Sequence, residues 1–297
     1  MSINNKLYAL LFISIMALGF TACSDDDPSG VTIFPTDQPE NLDALDTWLL
    51  KNYTYPYNVE FQYKWKYIET DNKKTLVPAD SAKSAKLAKI VKYLWFDAYN
   101  EVVGQDFLKA NSPRQIVLIG SPAYENNGTM ILGTAEGGYK VTLYMVNDLT
   151  EENLHDYDVL EQYYFTTLHH EFTHILNQKI PYDSEFDKIS TGNYVSGDWY
   201  QVQNTVALRQ GFIRNYAMVE PREDFAETMA QYITNSDATW AAKLNTAGAS
   251  GSAIINKKLD YIRKYLKDSW NLDIDALHRA VQHRGQELNK LDLEHLN

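Results

Sequence analysis

The chain has 297 residues, of which 44% are hydrophobic and 13% aromatic, 21 of them tyrosine, enough apolar surface for a substantial core and too much for a disordered chain. Its formal net charge is −12 with no cluster of basic residues, which excludes the electrostatic footprint of a nucleic-acid binder. The single cysteine, Cys23, excludes a disulfide framework within the chain, so a metal would have to be held by His, Asp or Glu.

At the N-terminus, Lys6 precedes a nearly unbroken apolar run from Leu7 to Phe20, the length of a signal-peptide core and short for a membrane span. Cys23 follows Thr21-Ala22 and resembles the lipidated first residue of a bacterial lipoprotein, with Phe20 where a leucine is usual. The stretch "SDDDPSG" that follows resembles the acidic export signal of surface lipoproteins in Bacteroidota. Residues 1–22 are therefore expected to be a lipoprotein signal peptide, 23–41 an acidic flexible tether rich in Asp and Pro, and 42–297 a single folded domain. The corresponding location is the outer membrane, facing the cell exterior.

Within the domain, "LDALDTWLLKNYTYPY" predicts a short helix and a turn at Pro56, followed by a strand with Val59, Phe61, Tyr63 and Trp65 on one face. Residues 81–98 place Leu87, Ile90, Val91, Leu94, Trp95 and Ala98 at helical spacing. "RQIVLIGS" at 114–121 reads as a buried strand. Residues 128–147 read as two strands joined at Glu136-Gly137-Gly138, after a turn at Asn126-Asn127-Gly128. A helix is expected over 158–178, another from Pro221, and two more over about 254–268 and 273–290.

The helix over 158–178 contains "HHEFTH". Four residues make about one helical turn, so His170 and His174 can point imidazole nitrogens at one ion, while Glu171 lies about 100° round, near the ion without having to bind it. That is where a base acting on water at the metal must stand. By composition alone such a motif arises roughly once in a hundred chains of this kind, and its place inside an amphipathic helix makes chance a still poorer account. His169 faces away from the ion and is expected to be a packed histidine that tolerates replacement.

A catalytic zinc needs a third protein ligand. The metzincin solution requires a glycine and a histidine further along the same helix, but those places hold Asn177 and Ile180, so Met218 is not a Met-turn methionine. The alternative is a carboxylate from a later helix, and "VEPREDFAETMAQYI" provides Glu223 and Glu227 four apart, beside Ala226 and Ala230, which are small enough for close helix approach. Glu223 is expected as the third ligand and Glu227 as the carboxylate that orients a ligand histidine through its other ring nitrogen. The spacing alone also admits the reverse. Tyr216, seven residues before Glu223, is a candidate for stabilising an oxyanion.

"HHEFTH" together with "YAMVEPREDFAE" resembles the zinc-binding metallopeptidase lipoproteins of Bacteroidota, also described as substrate-import-associated zinc metallohydrolases, and the likeness runs from Leu42 to about Ile233. More remotely, the same motifs are similar to the catalytic domain of anthrax lethal factor, in which the first glutamate of the second motif binds zinc and the tyrosine assists the transition state. These roles would fall on Glu223 and Tyr216, with Ala217 standing where that family has glycine. The implied fold is α+β and zincin-like, a small mixed sheet followed by an active-site helix and a mostly helical C-terminal half. The implied protein is a gluzincin-like peptidase with one Zn2+ ion, in which Glu171 activates water to attack a peptide or protein substrate. It would be anchored through Cys23 and associated with an outer-membrane nutrient transporter. Hydrolysis of a non-peptide bond and a non-catalytic binding role in an uptake complex are the other readings the residues admit.

Overall fold

The computed structural model describes residues 42–296 apart from 72, 126, 127, 132, 137 and 138. The expected signal peptide, Cys23 and the tether lie outside the described residues, as do the two glycines of the expected 136–138 turn. No helix among the described residues is long and apolar enough to cross a membrane.

Helix α1 (Ala44–Leu49) starts at a reciprocal cap: Asp43 accepts from the Asp46 N–H at 2.8 Å, and the Asp46 carboxylate accepts from the Asp43 N–H. It continues through a wider turn at Leu50–Thr54 into Tyr55–Tyr57. The chain reverses at Asn58, in the left-handed region at φ 56°, and not at Pro56, because proline at the start of the Tyr55–Tyr57 turn gives up no helical hydrogen bond. The strand that follows, β1 (Glu60–Gln62), is shorter than the alternation predicts. Tyr63 is drawn back toward α1, its hydroxyl donating to Asp43 at 2.9 Å and Asp46 at 3.0 Å.

Helix α2 (Ser81–Val91) runs on through Lys92–Phe96 and Asp97–Val103, beyond the expected end, until Gly104 at φ 86° redirects the chain into α3 (Gln105–Asn111). Five strands then complete the described β structure: β2 (Gln115–Leu118), the short hairpin β3 (Ala123–Tyr124) with β4 (Met130–Ile131), β5 (Gly133–Glu136) and β6 (Lys140–Leu143). The main sheet has the order β1-β2-β6-β5. The first three strands are parallel, and β5 pairs antiparallel with β6 as the edge strand. All four residues of β2 are buried, as a strand covered on both faces requires.

One sheet face, through Phe61, Ile116, Leu118, Val141 and Leu143, joins the main core. That core is rich in aromatic rings: Trp95 and Tyr99 of α2 meet Phe172 edge-on at centroid distances of 5.4 Å and 5.3 Å. The other face carries a smaller apolar cluster of Val117, Ile119, Ala123, Ile131 and Tyr144.

The rest is helical. Helix α4 comprises Tyr157–Leu160, a wider turn at Glu161–Phe165, and Thr166–Lys179. A long excursion holds the short α5 (Asn204–Arg209), followed by α6 (Pro221–Thr234), α7 (Asp237–Trp270) and α8 (Ile274–Gln286). α7 starts well before the expected residue 254. Gly248, at φ 70°, kinks it, and the small residues around the kink erase the helical periodicity that would have revealed the first half. α6 packs against α4, α7 and α8 and is buried from Asp224 to Gln231. The molecule is thus an α+β protein whose small mixed sheet precedes a helical half, as the sequence implied.

Candidate metal centre

Helices α4 and α6 lie antiparallel, and their side chains report the register. Thr166 meets Thr234 at 3.1 Å, His170 meets Glu227 at 2.8 Å, and His174 meets Glu223 at 3.4 Å. From His170 to His174 a four-residue step along one helix is matched by a four-residue step back along the other, Glu227 to Glu223, and from Thr166 to His170 by a seven-residue step, Thr234 to Glu227. Ala226 and Ala230, both fully buried, allow the close approach, and Thr173 donates to Met229 Sδ at 3.1 Å between them.

This register brings His170, His174 and Glu223 together, with one donor atom from each lying within 4.8 Å of the other two. The imidazole Nε2 atoms are 3.0 Å apart, and Glu223 Oε2 is 3.0 Å from His170 Nε2. That oxygen is buried, yet it has no hydrogen-bond partner of acceptable geometry. Donors bonded to one zinc at about 2.0–2.1 Å in tetrahedral arrangement stand about 3.3 Å from one another, so the spacing fits a shared ion.

Charge makes the same point. Burial opposes a proton on His170, but Glu223 and Glu227 outweigh it and raise the imidazole to about 10. Burial likewise pushes Glu223 up, and the two imidazoles outweigh that and hold its carboxyl below the usual range. The cluster is built to hold positive charge between these atoms.

Glu227 is 1% exposed and does not reach the group of three donors. It contacts the other ring nitrogen of His170, Nδ1, as the expected orienting carboxylate would. Burial raises its carboxyl, but the Arg214 charge and His170 more than compensate and bring it down to about 2. Arg214 donates from Nη2 to Glu227 Oε1 at 2.7 Å, and its Nε lies against Oε2, so the guanidinium grips the carboxylate from two sides.

A cleft of about 530 Å³ opens onto these groups, and Glu171, Tyr216, Trp199, Asn215 and Thr134 are among its walls. Burial raises the Glu171 carboxyl above its ordinary range. The Tyr216 ring lies 5.9 Å from that of His170, with Trp199 edge-on to it at 4.9 Å and the Arg214 guanidinium 5.7 Å from its centroid. Burial, with Glu223 and Glu227 nearby, pushes the phenol well above its usual value, so it stays protonated as a hydrogen-bond donor. Tyr216 is placed by the turn Asn215–Met218, which docks on the start of α6.

His169 is packed, as expected: it is fully buried, stacked on Tyr99 at 5.6 Å, with Nδ1 3.1 Å from the Tyr99 hydroxyl. Burial lowers it to about 3, so it is neutral. The expectation that it tolerates replacement does not fit this environment, because a fully buried ring with a specific partner leaves a void and an unpaired phenol when removed.

Sequence reasoning missed Arg214, Trp199, Asn215 and Thr134, all of them cleft residues without a spacing rule. It also missed Lys258, which is fully buried in α7, pairs with Asp224 at 2.6 Å and donates to the Gly211 carbonyl at 2.7 Å. The signal was present: Lys258 interrupts the apolar stripe of Ile255, Leu259 and Ile262.

Two helices that bring two histidines and a carboxylate onto one point, beside the edge strand of a mixed sheet, define an α+β protein with a candidate metal centre borne on helices. Comparison with known proteins is specific. Residues 38–275 match the family described as "Putative zinc-binding metallo-peptidase", and the chain belongs to that family. It is also similar to a crystal structure described as "a putative zinc-binding metallo-peptidase from Bacteroides caccae ATCC 43185", at 44% identity and a TM-score of 0.76, covering 90% of this chain and all of that one. The comparison with curated proteins gives no match.

Proposed function

We propose that the protein is a gluzincin-like, zinc-dependent peptidase in which His170, His174 and Glu223 hold one ion, Glu171 is the general base and Tyr216 donates to the oxyanion. The observation that carries this reading is the convergence of those three donors in a cleft walled by Glu171, Tyr216 and the edge strand β5. Zinc in such a site supplies a Lewis acid that acidifies water and polarises a carbonyl. The Glu171 carboxylate, made more basic by burial, accepts a proton in the cleft and passes it to the leaving amine. The protonated Tyr216 donates a hydrogen bond where negative charge develops. Glu227, fixed by Arg214, keeps the His170 ring turned so that Nε2 faces the other donors. Strand β5 offers main-chain groups to which an extended peptide adds as a further strand.

Chelation of the purified protein should abolish peptide cleavage and zinc should restore it, while Glu171→Gln keeps its zinc and loses about 10²–10⁴ in rate. Activity indifferent to either treatment overturns the reading. We also infer that the protein is an outer-membrane lipoprotein exposed at the cell surface, anchored through Cys23 and working beside a nutrient transporter. The support is the apolar run Leu7–Phe20, the placement of Cys23 and the acidic residues after it. Cys23→Ala should shift the protein from the membrane fraction to the soluble one, and failure to do so removes the anchor.

A further inference from the structure

Two stretches of chain must keep their places for Tyr216 to face the metal centre. One is the first two turns of α6, with Glu223 and Glu227. The other is the end of the excursion, with Arg214 and Tyr216, and many of its bonds stay within the excursion itself. Gly211, at φ 85°, ends α5 by donating to the Leu208 carbonyl at 2.9 Å, while the Phe212 N–H donates to the Ala207 carbonyl at 3.0 Å. Asn215 donates from its N–H to Asn204 Oδ1 at 2.8 Å and from Nδ2 to the Val202 carbonyl at 3.0 Å. Such bonds give the excursion its shape, and they leave open where it stands against α6.

Lys258 of α7 joins the two stretches. Its Nζ is 2.6 Å from Asp224 Oδ2, next to Glu223, and donates at 2.7 Å to the carbonyl of Gly211, three residues before Arg214 and five before Tyr216. The same Nζ lies 3.9 Å from the centre of the Phe212 ring. Tyr194, edge-on to Phe212 at 5.3 Å, donates to Asp224 as well. Around this ammonium the backbones are pressed together: a methyl group at Gly251 of α7 would run into the Leu208 carbonyl, and one at Gly211 into Ile254. Phe212 and Ile213 are buried, so the chain is held from Gly211 up to the point where Arg214 enters the cleft wall.

A buried lysine and carboxylate are a costly way to fill a core, since apolar side chains of similar volume serve stability as well or better. What they add is direction. One ammonium has three donors, and here it holds an acceptor on each of the two stretches.

We propose that Lys258 is a positioning residue, which fixes residues 211–216 against the first turn of α6 and so keeps Arg214 and Tyr216 in place beside the metal centre. Its effect on cleavage rests on the peptidase reading above, whereas its hold on the segment does not.

Lys258→Met alone strands the Asp224 carboxylate and reads stability, so the deciding variant is Lys258→Met with Asp224→Leu, its folding verified by denaturant unfolding. With zinc in excess each molecule should keep its ion. KM should stay within about twofold of the wild type, and kcat should fall about ten- to a hundredfold, the scale of a small misplacement at a reacting centre. Tyr216→Phe, which slows the wild type, should cost this pair variant less than about twofold, because the phenol is already displaced. In the metal-free protein, hydrogen exchange of the bonded amides of Phe212, Asn215 and Ala217 should be slow in the wild type and about tenfold faster or more in the pair variant. A folded pair variant with wild-type kcat, a Tyr216→Phe loss that multiplies in full with that of the pair, or fast exchange of these amides in the wild type overturns the proposal. Faster exchange in the pair variant, beside a wild type that cleaves no peptide, overturns the peptidase reading and leaves the hold of Lys258 on the segment standing.

Discussion

The cleft face and the core face of α4 carry the same kinds of residue and do opposite things with them. On the core face, His169 is neutral, with Nδ1 facing one hydroxyl, and Thr173 donates to the His169 carbonyl at 2.7 Å. On the cleft face, one residue further on, His170 is crowded by His174, Glu223 and Glu227 in a cluster rich in negative charge. Helix α6 repeats the pattern: Glu223 faces the imidazoles, and the adjacent Asp224 is buried against Lys258 with Tyr194 donating to it at 3.0 Å. A rotation of about 100° per residue separates a polar group turned into the core from one turned toward the cleft, where the proposed ion would be its further partner.

The contrast is broken most severely at its cleft side. Glu223→Ala should abolish stoichiometric zinc, read by elemental analysis of the purified protein, whereas Glu227→Ala should retain a weakened site. If Glu227→Ala is the variant that loses the metal, the two carboxylates have exchanged roles and the four-residue register has been misread. On the core side, Lys258→Met should cost about 3–5 kcal/mol in denaturant unfolding, because it leaves the Asp224 carboxylate buried without its cation. The double change Lys258→Met with Asp224→Leu should recover most of that loss, since matched apolar replacements of a buried pair are frequently neutral or better. Zinc bound per folded molecule should survive both variants. That outcome distinguishes a partner the fold supplies from one the metal supplies.

Arg214 sits between the two regimes, with its guanidinium on the buried Glu227 and its side chain in the wall of the cleft. Arg214→Ala should weaken zinc binding by about 10–100-fold in a competition with a fluorescent chelator, the usual cost of losing support behind a ligand histidine. Arg214→Lys should recover only part of it, because a lysine cannot grip a carboxylate from two sides. An unchanged zinc affinity would show that Glu227 holds His170 without help.

Much of this site was legible before the fold was known, for a physical reason. Two side chains of one helix that face the same point recur at one-turn spacing, and both "HEFTH", with His170 and His174, and "EDFAE", with Glu223 and Glu227, carry that spacing in the sequence. What a periodicity cannot show is a group that arrives from a loop. Arg214, Asn215 and Trp199 are brought to the cleft by the excursion between α4 and α6, whose path depends on long-range contacts such as that of Lys258 with the Gly211 carbonyl. The first half of α7 was hidden for a different reason: around Gly248 its residues are too small to print a stripe. The end of β1 was misplaced because alternation continues through Tyr63, while the Tyr63 hydroxyl belongs to the carboxylates at the start of α1.

The mildest test concerns His169. Replacing it by phenylalanine keeps the ring that stacks on Tyr99 and removes the nitrogen that faces the phenol. The expected cost is about 1–3 kcal/mol in unfolding free energy, the penalty for stranding a buried hydroxyl. Zinc stoichiometry and cleavage rate should not change, since His169 lies on the far side of α4 from the cleft. His169→Phe combined with Tyr99→Phe should recover part of the loss, because neither ring then holds an unpaired polar atom. Loss of metal from the single variant would mean that the two faces of the helix are energetically coupled, and that a one-residue rotation does not insulate the site from the core behind it.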